Sequence, residues 1–327
     1  TFAGRPVVGC YFAPLSAFHR AIELLLIRGL EHFEADIRLP ERFLMERFIT
    51  AGVRFDGRAV KKGGKQGYWE VNEARCAPQA VTPTLSWVSL DVECAMDGAL
   101  FSVGLYSEQD ARVIMIGTPE ADAESWGTLV QWVEDESSLL SALESWFSLH
   151  DPDLVIGWNV VNFDFRLLLR RAELNKRRRE LCFWRSSRGD PQTGNVIIPG
   201  RMVLDGIDTL KSATWQFASY SLDAVASELL GRGKDIEDVA NRGEKITELF
   251  HSEALARYNL EDCKLVWEIF DYCHLIPFAI ERASLTGLEL DRVGGSVAAF
   301  TNLYLPRLHR GGYVAPNLPA DGGLASP

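Results

Sequence analysis

Three groups of side chains in this 327-residue chain have types and spacings that suit chemistry. Asp91 and Glu93 stand two apart in Trp87-Val88-Ser89-Leu90-Asp91-Val92-Glu93. On a strand, where side chains alternate, both carboxylates point to one face. If that face is the inner one, paired like charges are costly there, so a metal ion or a water-filled cleft must accompany them. An exposed polar strand face is the alternative. Asp164 closes Gly157-Trp158-Asn159-Val160-Val161-Asn162-Phe163-Asp164, where an apolar strand ends in a polar turn and a helix opens. Strand ends are where loops and helix termini converge into sites, although an aspartate there is also an ordinary helix cap. Tyr258 and Asp262 lie four apart in Tyr258-Asn259-Leu260-Glu261-Asp262, which places phenol and carboxylate on one helical face, one turn apart. A surface tyrosine beside an aspartate has the same spacing. Together the three groups form an ordered set on a strand, a strand end and a helix.

The elements that must position them follow from periodicity. Ser86 to Glu93, Leu100 to Tyr106 and Arg112 to Ile116 are apolar extended runs with short polar connections, which predicts an antiparallel meander. Leu139, Leu140, Leu143, Trp146 and Phe147 recur at helical spacing, predicting a helix over Ser137 to His150 behind a serine cap. Asp153 to Trp158 reads as a fourth strand, Phe163 to Glu180 as a helix and Arg201 to Leu204 as a fifth strand; most of the remainder to Arg310 reads as helical. Upstream, an extended start at Val7 to Phe12, a helix from about Ser16 to Arg28 and a hairpin tip at Lys61 to Gly67 suggest a small α+β domain. Ala77-Pro78 to Pro83 reads as a linker, and the Pro- and Gly-rich end from Pro316 as a fraying tail.

Composition bounds the reading. With 47% hydrophobic and 24% charged residues the chain is globular, and its length suits roughly two domains. The formal charge of −11 argues against a surface that grips nucleic acid everywhere, so a polyanion must be met locally. The longest early apolar run, Ile22 to Ile27, is too short to cross a bilayer, and no leader precedes Thr1, so no membrane partner is expected. Six scattered cysteines without C-x-x-C or zinc spacing fit a reduced, cytosolic setting.

Asp91-x-Glu93, Asn159-x-x-x-Phe163-Asp164 and Tyr258-x-x-x-Asp262 resemble the three exonuclease motifs of family B DNA polymerases, in the tyrosine subclass of DEDD exonucleases. The histidine subclass would want His at the position of Arg257. Further segments are similar to bacterial members of the family: Ala35 to Phe48, Gly200 to Asp205, Tyr220 to Ala226, Leu229 to Lys234 and Pro277 to Asn317. The resemblance covers almost the whole chain. It implies an α/β fold, an RNase H-like mixed five-stranded sheet flanked by helices, preceded by the small α+β domain. Residues 1–80 would be part of the polymerase N-terminal domain, 84–280 the 3′→5′ exonuclease domain, and 281–327 a helical segment leading toward the palm. The palm signatures do not occur in this sequence, so the implied activity is proofreading without polymerisation, with palm, fingers and thumb as partners.

The resemblance also implies a metal mechanism. Two divalent cations, Mg²⁺ or Mn²⁺, can activate water, neutralise phosphate charge and stabilise the leaving alkoxide. Asp91 would bridge both ions, Glu93 and Asp262 would hold the one that activates water, and Asp164 would support the second. Tyr258 would orient the attacking water, since an unperturbed phenol is a poor base. Asn159, Phe163 and Phe101 would meet a single-stranded or frayed primer end; such aromatics are more often core, so Phe163 and Trp158 are expected to pack beneath the site and Asn159 is the better candidate for contact. Nine basic residues between Arg166 and Arg188 face only Glu173 and Glu180, and serve either phosphate contact or a solvated helix face. A bacterial, cytoplasmic, DNA-associated setting follows. The alternatives are a non-enzymatic DNA-holding scaffold, inactive without palm and thumb, and an RNA-trimming exonuclease.

Overall fold

The computed structural model describes residues 1–63, 68–118, 129–176, 183–187, 190–198, 200–233, 252–292 and 294–317, with backbone alone for 183–187 and 190–195. The chain divides into two compact units, one of Thr1–Thr82, Glu281–Glu289 and the residues from Gly295 onward, the other of Pro83–Ile280 with Leu290–Gly294. Residues 281–289 and those from Gly295 onward thus group with the first unit.

In that first unit, helices α1 (Leu15–Ile27) and α2 (Leu39–Met45) precede a hairpin of β1 (Val53–Lys62) and β2 (Tyr68–Pro78). The strands pair antiparallel as far as Lys62↔Tyr68, and residues 64–67 of the expected tip lie outside the described residues. Val7 to Phe12 forms no strand. Among the described residues no strand pairs with its backbone, and an extended segment needs such a partner to become a strand. Met45 of α2 packs with Leu305 and Leu308 of the helix Ser296–Arg310.

The second unit is built on β3 (Trp87–Cys94), β4 (Leu100–Tyr106), β5 (Ala111–Ile116), β6 (Val130–Val133), α3 (Glu136–His150), β7 (Leu154–Gly157), α4 (Asp164–Leu174), a hairpin of β8 (Phe183–Ser187) and β9 (Asp190–Ile197), β10 (Met202–Asp205), α5 (Gly206–Ser212), α6 (Leu222–Leu230) and α7 (Glu253–Tyr272). Its sheet runs β10-β7-β3-β4-β5-β6. β3, β4 and β5 form the antiparallel meander, while β7 and β10 lie parallel to β3. The fold is the expected α/β, RNase H-like one, with six strands in the sheet where five were expected. The added strand is Val130-Gln131-Trp132-Val133, which pairs parallel with β5. Four residues are too few to show alternation on their own, so the neighbouring edge defines this strand. The cap of α3 is Asp135, whose Oδ1 accepts from the Ser138 N–H at 2.8 Å, and not a serine. An aspartate preceding the serines satisfies the same orphan donor.

Alternation divides β3 between two layers. Val88, Leu90 and Val92 join Val103 and Leu105 of β4 against α3 and α4. Ser89, Asp91 and Glu93 take the opposite face, which α7 crosses over β3, β4 and β5. The apolar side of α7 holds it there: Leu265, Val266, Ile269 and Phe270 bury against Leu154, Ile156 and Leu204, and Leu255 and Leu260 pack with Val113 and Met115.

Candidate metal-binding active site

β3 supplies Asp91 and Glu93 on its α7 face, and α7 supplies Asp262 opposite them. One carboxylate oxygen from each of Asp91, Glu93 and Asp262 lies within 4.8 Å of the others. Glu93 and Asp262 are buried, and Asp91 is half-buried, so the cluster is partly accessible through Asp91. Asp164 comes from the start of α4. Pairing of β3 with β7 ends at Ser89↔Ile156, so further along β3 that edge lacks a strand partner. The Asp164 Oδ1 accepts the Val92 N–H at 2.8 Å there, which fastens the α4 terminus beside the Asp-x-Glu pair.

The electrostatics are those of crowded carboxylates. Burial pushes the Asp164 carboxyl well above its ordinary range and repulsion from Asp91 adds to this, against hydrogen bonds from Val92 and its own backbone. Burial likewise raises the Cys263 thiol well above its usual value, followed by Asp91, Asp262 and Asp164. Cys94 is pushed up to about 11, by burial and then by Glu93, Asp164 and Asp91. Both thiols stay protonated, and the convergent donors are carboxylate oxygens. Such an all-oxygen set suits a hard divalent cation.

A family model described as DNA polymerase family B, exonuclease domain, matches residues 30–225. The chain belongs to the family B DNA polymerases and carries their exonuclease domain. It is 42% identical over 336 residues to DNA polymerase II of Escherichia coli, covering 100% of this chain and 42% of that protein. It is 27% identical over 295 residues to the bovine DNA polymerase delta catalytic subunit, covering 79% of this chain and 25% of that one. A family B DNA polymerase from the archaeon Pyrobaculum calidifontis shares the fold, with a TM-score of 0.65 at 24% identity over 88% of this chain and 38% of its own. The chain thus spans less than half the length of each of these relatives.

Tyr258 sits on α7 one turn before Asp262, buried beside Phe101, Leu255 and Leu260. Phe101 is only 5% exposed and belongs to that core. The reason is a register shift: Glu93 pairs with Ser102 but Cys94 with Leu100, so Phe101 is the extra residue of a bulge and turns its ring under α7. It is therefore no stacking platform in this conformation. Phe163, at 47% exposure, is open to solvent rather than packed beneath the site. Asn159 is also exposed and takes a left-handed φ of 56°, which asparagine tolerates better than most residues. The Trp158 indole N–H donates to the Tyr220 carbonyl at 2.9 Å, so that ring is structural.

Of the basic run, Arg171 is committed to Glu136, donating from Nε at 3.0 Å and from a terminal nitrogen at 2.6 Å. Glu136 also accepts the Leu100 N–H at 2.8 Å, joining α3, α4 and β4. Arg166, Arg170 and Lys176 are exposed; Arg177 to Arg179 lie outside the described residues, as do the side chains of Arg185 and Arg188. Sequence reasoning missed Asn259, which donates to Asp91, Gly104, which pairs with Asp91, and Ser102, which donates to Asn259. A signal existed: Asn259 stands among Leu255, Ala256, Leu260 and Cys263 on a helical face that is otherwise apolar. Among the described residues, no helix is long and apolar enough to cross a membrane.

Proposed function

We propose that the chain is a metal-dependent 3′→5′ exonuclease of the tyrosine subclass, removing terminal nucleotides from single-stranded or frayed DNA as a proofreading module. The observation that carries this reading is the convergence of Asp91, Glu93 and Asp262 within 4.8 Å, with Asp164 fastened next to Asp91 and Glu93. Asp91, Glu93, Asp164 and Asp262 would hold two divalent cations, Mg²⁺ or Mn²⁺. Bound cations supply a nucleophilic water near neutral pH and neutralise charge on the phosphate. With its Oδ1 already accepting from Val92, Asp164 has the more indirect share in holding them. The Tyr258 phenol orients the attacking water by hydrogen bonding. Asn159 and Phe163, exposed on the loop leading to Asp164, contact the terminal nucleotide.

The same reading makes residues 1–80 part of an N-terminal domain and 84–280 the nuclease, with palm, fingers and thumb in a longer polymerase chain. The E. coli relative and the described cysteines, all free of disulfides, support a bacterial cytoplasmic setting. The test is a 3′-labelled single strand incubated with Mg²⁺ or Mn²⁺ beside an Asp91→Ala control. Cleavage from the 3′ end, lost in excess chelator, is expected. The control should lose more than the roughly 100-fold that bounds the loss of a supporting residue. Strand binding without cleavage in both proteins would replace the nuclease with a DNA-holding module, and a preference for RNA strands would change the substrate class.

A further inference from the structure

We propose that Asn259 is a positioning residue whose side-chain amide orients the Asp91 carboxylate toward Glu93 and Asp262 and so shapes the cation site; this rests on the metal-dependent reading above. Asn259 is fully buried on α7, three residues before Asp262. Its Nδ2 donates to Asp91 Oδ2 at 2.7 Å and approaches the Asp91 carbonyl at 3.2 Å. Both atoms are acceptors only, and the Ser102 hydroxyl donates to Asn259 Oδ1 at 3.3 Å, so the amide has one sensible orientation.

The sheet makes room for this contact. Gly104 pairs with Asp91 across the β3–β4 ladder. A Cβ there would stand 2.8 Å from Asn259 Oδ1 and 2.9 Å from Cys263 Sγ. Lacking that carbon, the strand lets α7 approach closely enough for a short amide to reach the carboxylate. One helix thus carries a ligand, Asp262, and the group that aims the ligand of another element, Asp91. Hydrogen bonds that orient a metal's ligands tune its affinity, and losing one typically costs roughly 10- to 100-fold. Here the amide also holds Asp91 near two other carboxylates that repel it while no cation is present.

The test uses the 327-residue chain and Mn²⁺ as the probe, with binding followed by calorimetry and cleavage of a labelled strand followed against Mn²⁺ concentration. Asn259→Leu keeps the shape and removes both polar ends. It should raise the Mn²⁺ dissociation constant and the half-saturating Mn²⁺ concentration roughly 10- to 100-fold, with saturating metal restoring most of the rate. Ser102→Ala, which frees the amide to turn, should raise both in the same direction by less. An unchanged Mn²⁺ affinity in Asn259→Leu overturns the proposal, as does a rate that falls at every Mn²⁺ concentration without moving the midpoint. Should Asn259→Leu show no cooperative melt, Ser102→Ala decides, and an unmoved midpoint there overturns it. Asp91→Ala separates the two layers of argument. If it binds Mn²⁺ normally, the metal-site reading falls, whereas lost binding there beside unaltered binding in Asn259→Leu removes only the role of Asn259.

Discussion

On one face of the central sheet, Val88, Leu90 and Val92 bury beside Val103 and Leu105 under α3 and α4, a layer whose contacts are apolar, aliphatic for the most part. On the other, the intervening residues of the same strand, Ser89, Asp91 and Glu93, meet Ser102, Gly104, Asn259 and Asp262. Both faces are close-packed, but they differ in what burial does. Aliphatic burial stabilises the fold by about 25 cal/mol per Å² removed from water. Burying carboxylates near one another costs free energy unless each finds hydrogen bonds or a cation. The polar face therefore carries a cost of burial that the apolar face helps to offset.

The largest effect that probes this division comes from the aliphatic layer. Leu143 of α3 is 2% exposed. Leu143→Ala should lower unfolding free energy by about 2–5 kcal/mol in urea titration, with Mn²⁺ affinity of the folded protein unchanged. A parallel drop in affinity would show that the faces are mechanically coupled and break the division. Gly104→Ala tests the polar face with a single methyl group. That carbon meets the side chains of Asn259 and Cys263 below 3.0 Å, so these buried groups, and α7 with them, are expected to be pushed outward. Expected are a stability loss of about 1–3 kcal/mol and weaker Mn²⁺ binding, because Asp262 retreats from Asp91. Full affinity at reduced stability would mean that α7 shifts without parting the ligands.

The difference between the faces also explains what could be read in advance. Period-two alternation in Trp87 to Glu93 and the four-residue spacing of Tyr258 and Asp262 are local patterns, and they placed both carboxylates of β3 on one side and the pair on one helical face. The aliphatic runs of β4, β5 and α3 were legible for the same reason. Phe101 was misplaced because a bulge breaks the alternation, and its cause lies in pairing with Cys94 rather than in its own neighbours. Val130–Val133 became a strand only through the edge of β5. The partnership of Asn259, Ser102 and Gly104 depends on the depth at which α7 lies on the sheet, which no single segment encodes.

A carboxylate outside the cluster, whose effect is confined to a narrow range of pH, sharpens the claim that acid burial costs stability. Asp205 ends β10 and caps α5, its Oδ1 accepting from the Ile207 N–H at 3.0 Å. Its Oδ2 accepts from the Val161 N–H at 3.4 Å, on the loop that leads to Asp164. Burial, then the neighbouring Asp208, raises its carboxyl to about 6, despite those N–H donors and that of Asp208. Between the ordinary value of 3.8 and about 6, the native carboxyl holds its proton while the unfolded one has lost it. Stability from this group is thus greatest at low pH and falls as pH rises through that window, no more steeply than about 1.4 kcal/mol per pH unit for one proton. Asp205→Asn keeps an acceptor for Val161 or Ile207 and cannot ionise. Unfolding measured from pH 4 to 7 should therefore show the parent protein losing ground to the variant as pH rises, with the gap constant above about 6. The opposite trend would mean that the N–H donors outweigh burial here. In that case a buried acid in this unit needs no cation to be stable, and the cost assigned to the cluster on β3 would have to come from repulsion among Asp91, Glu93 and Asp262 alone.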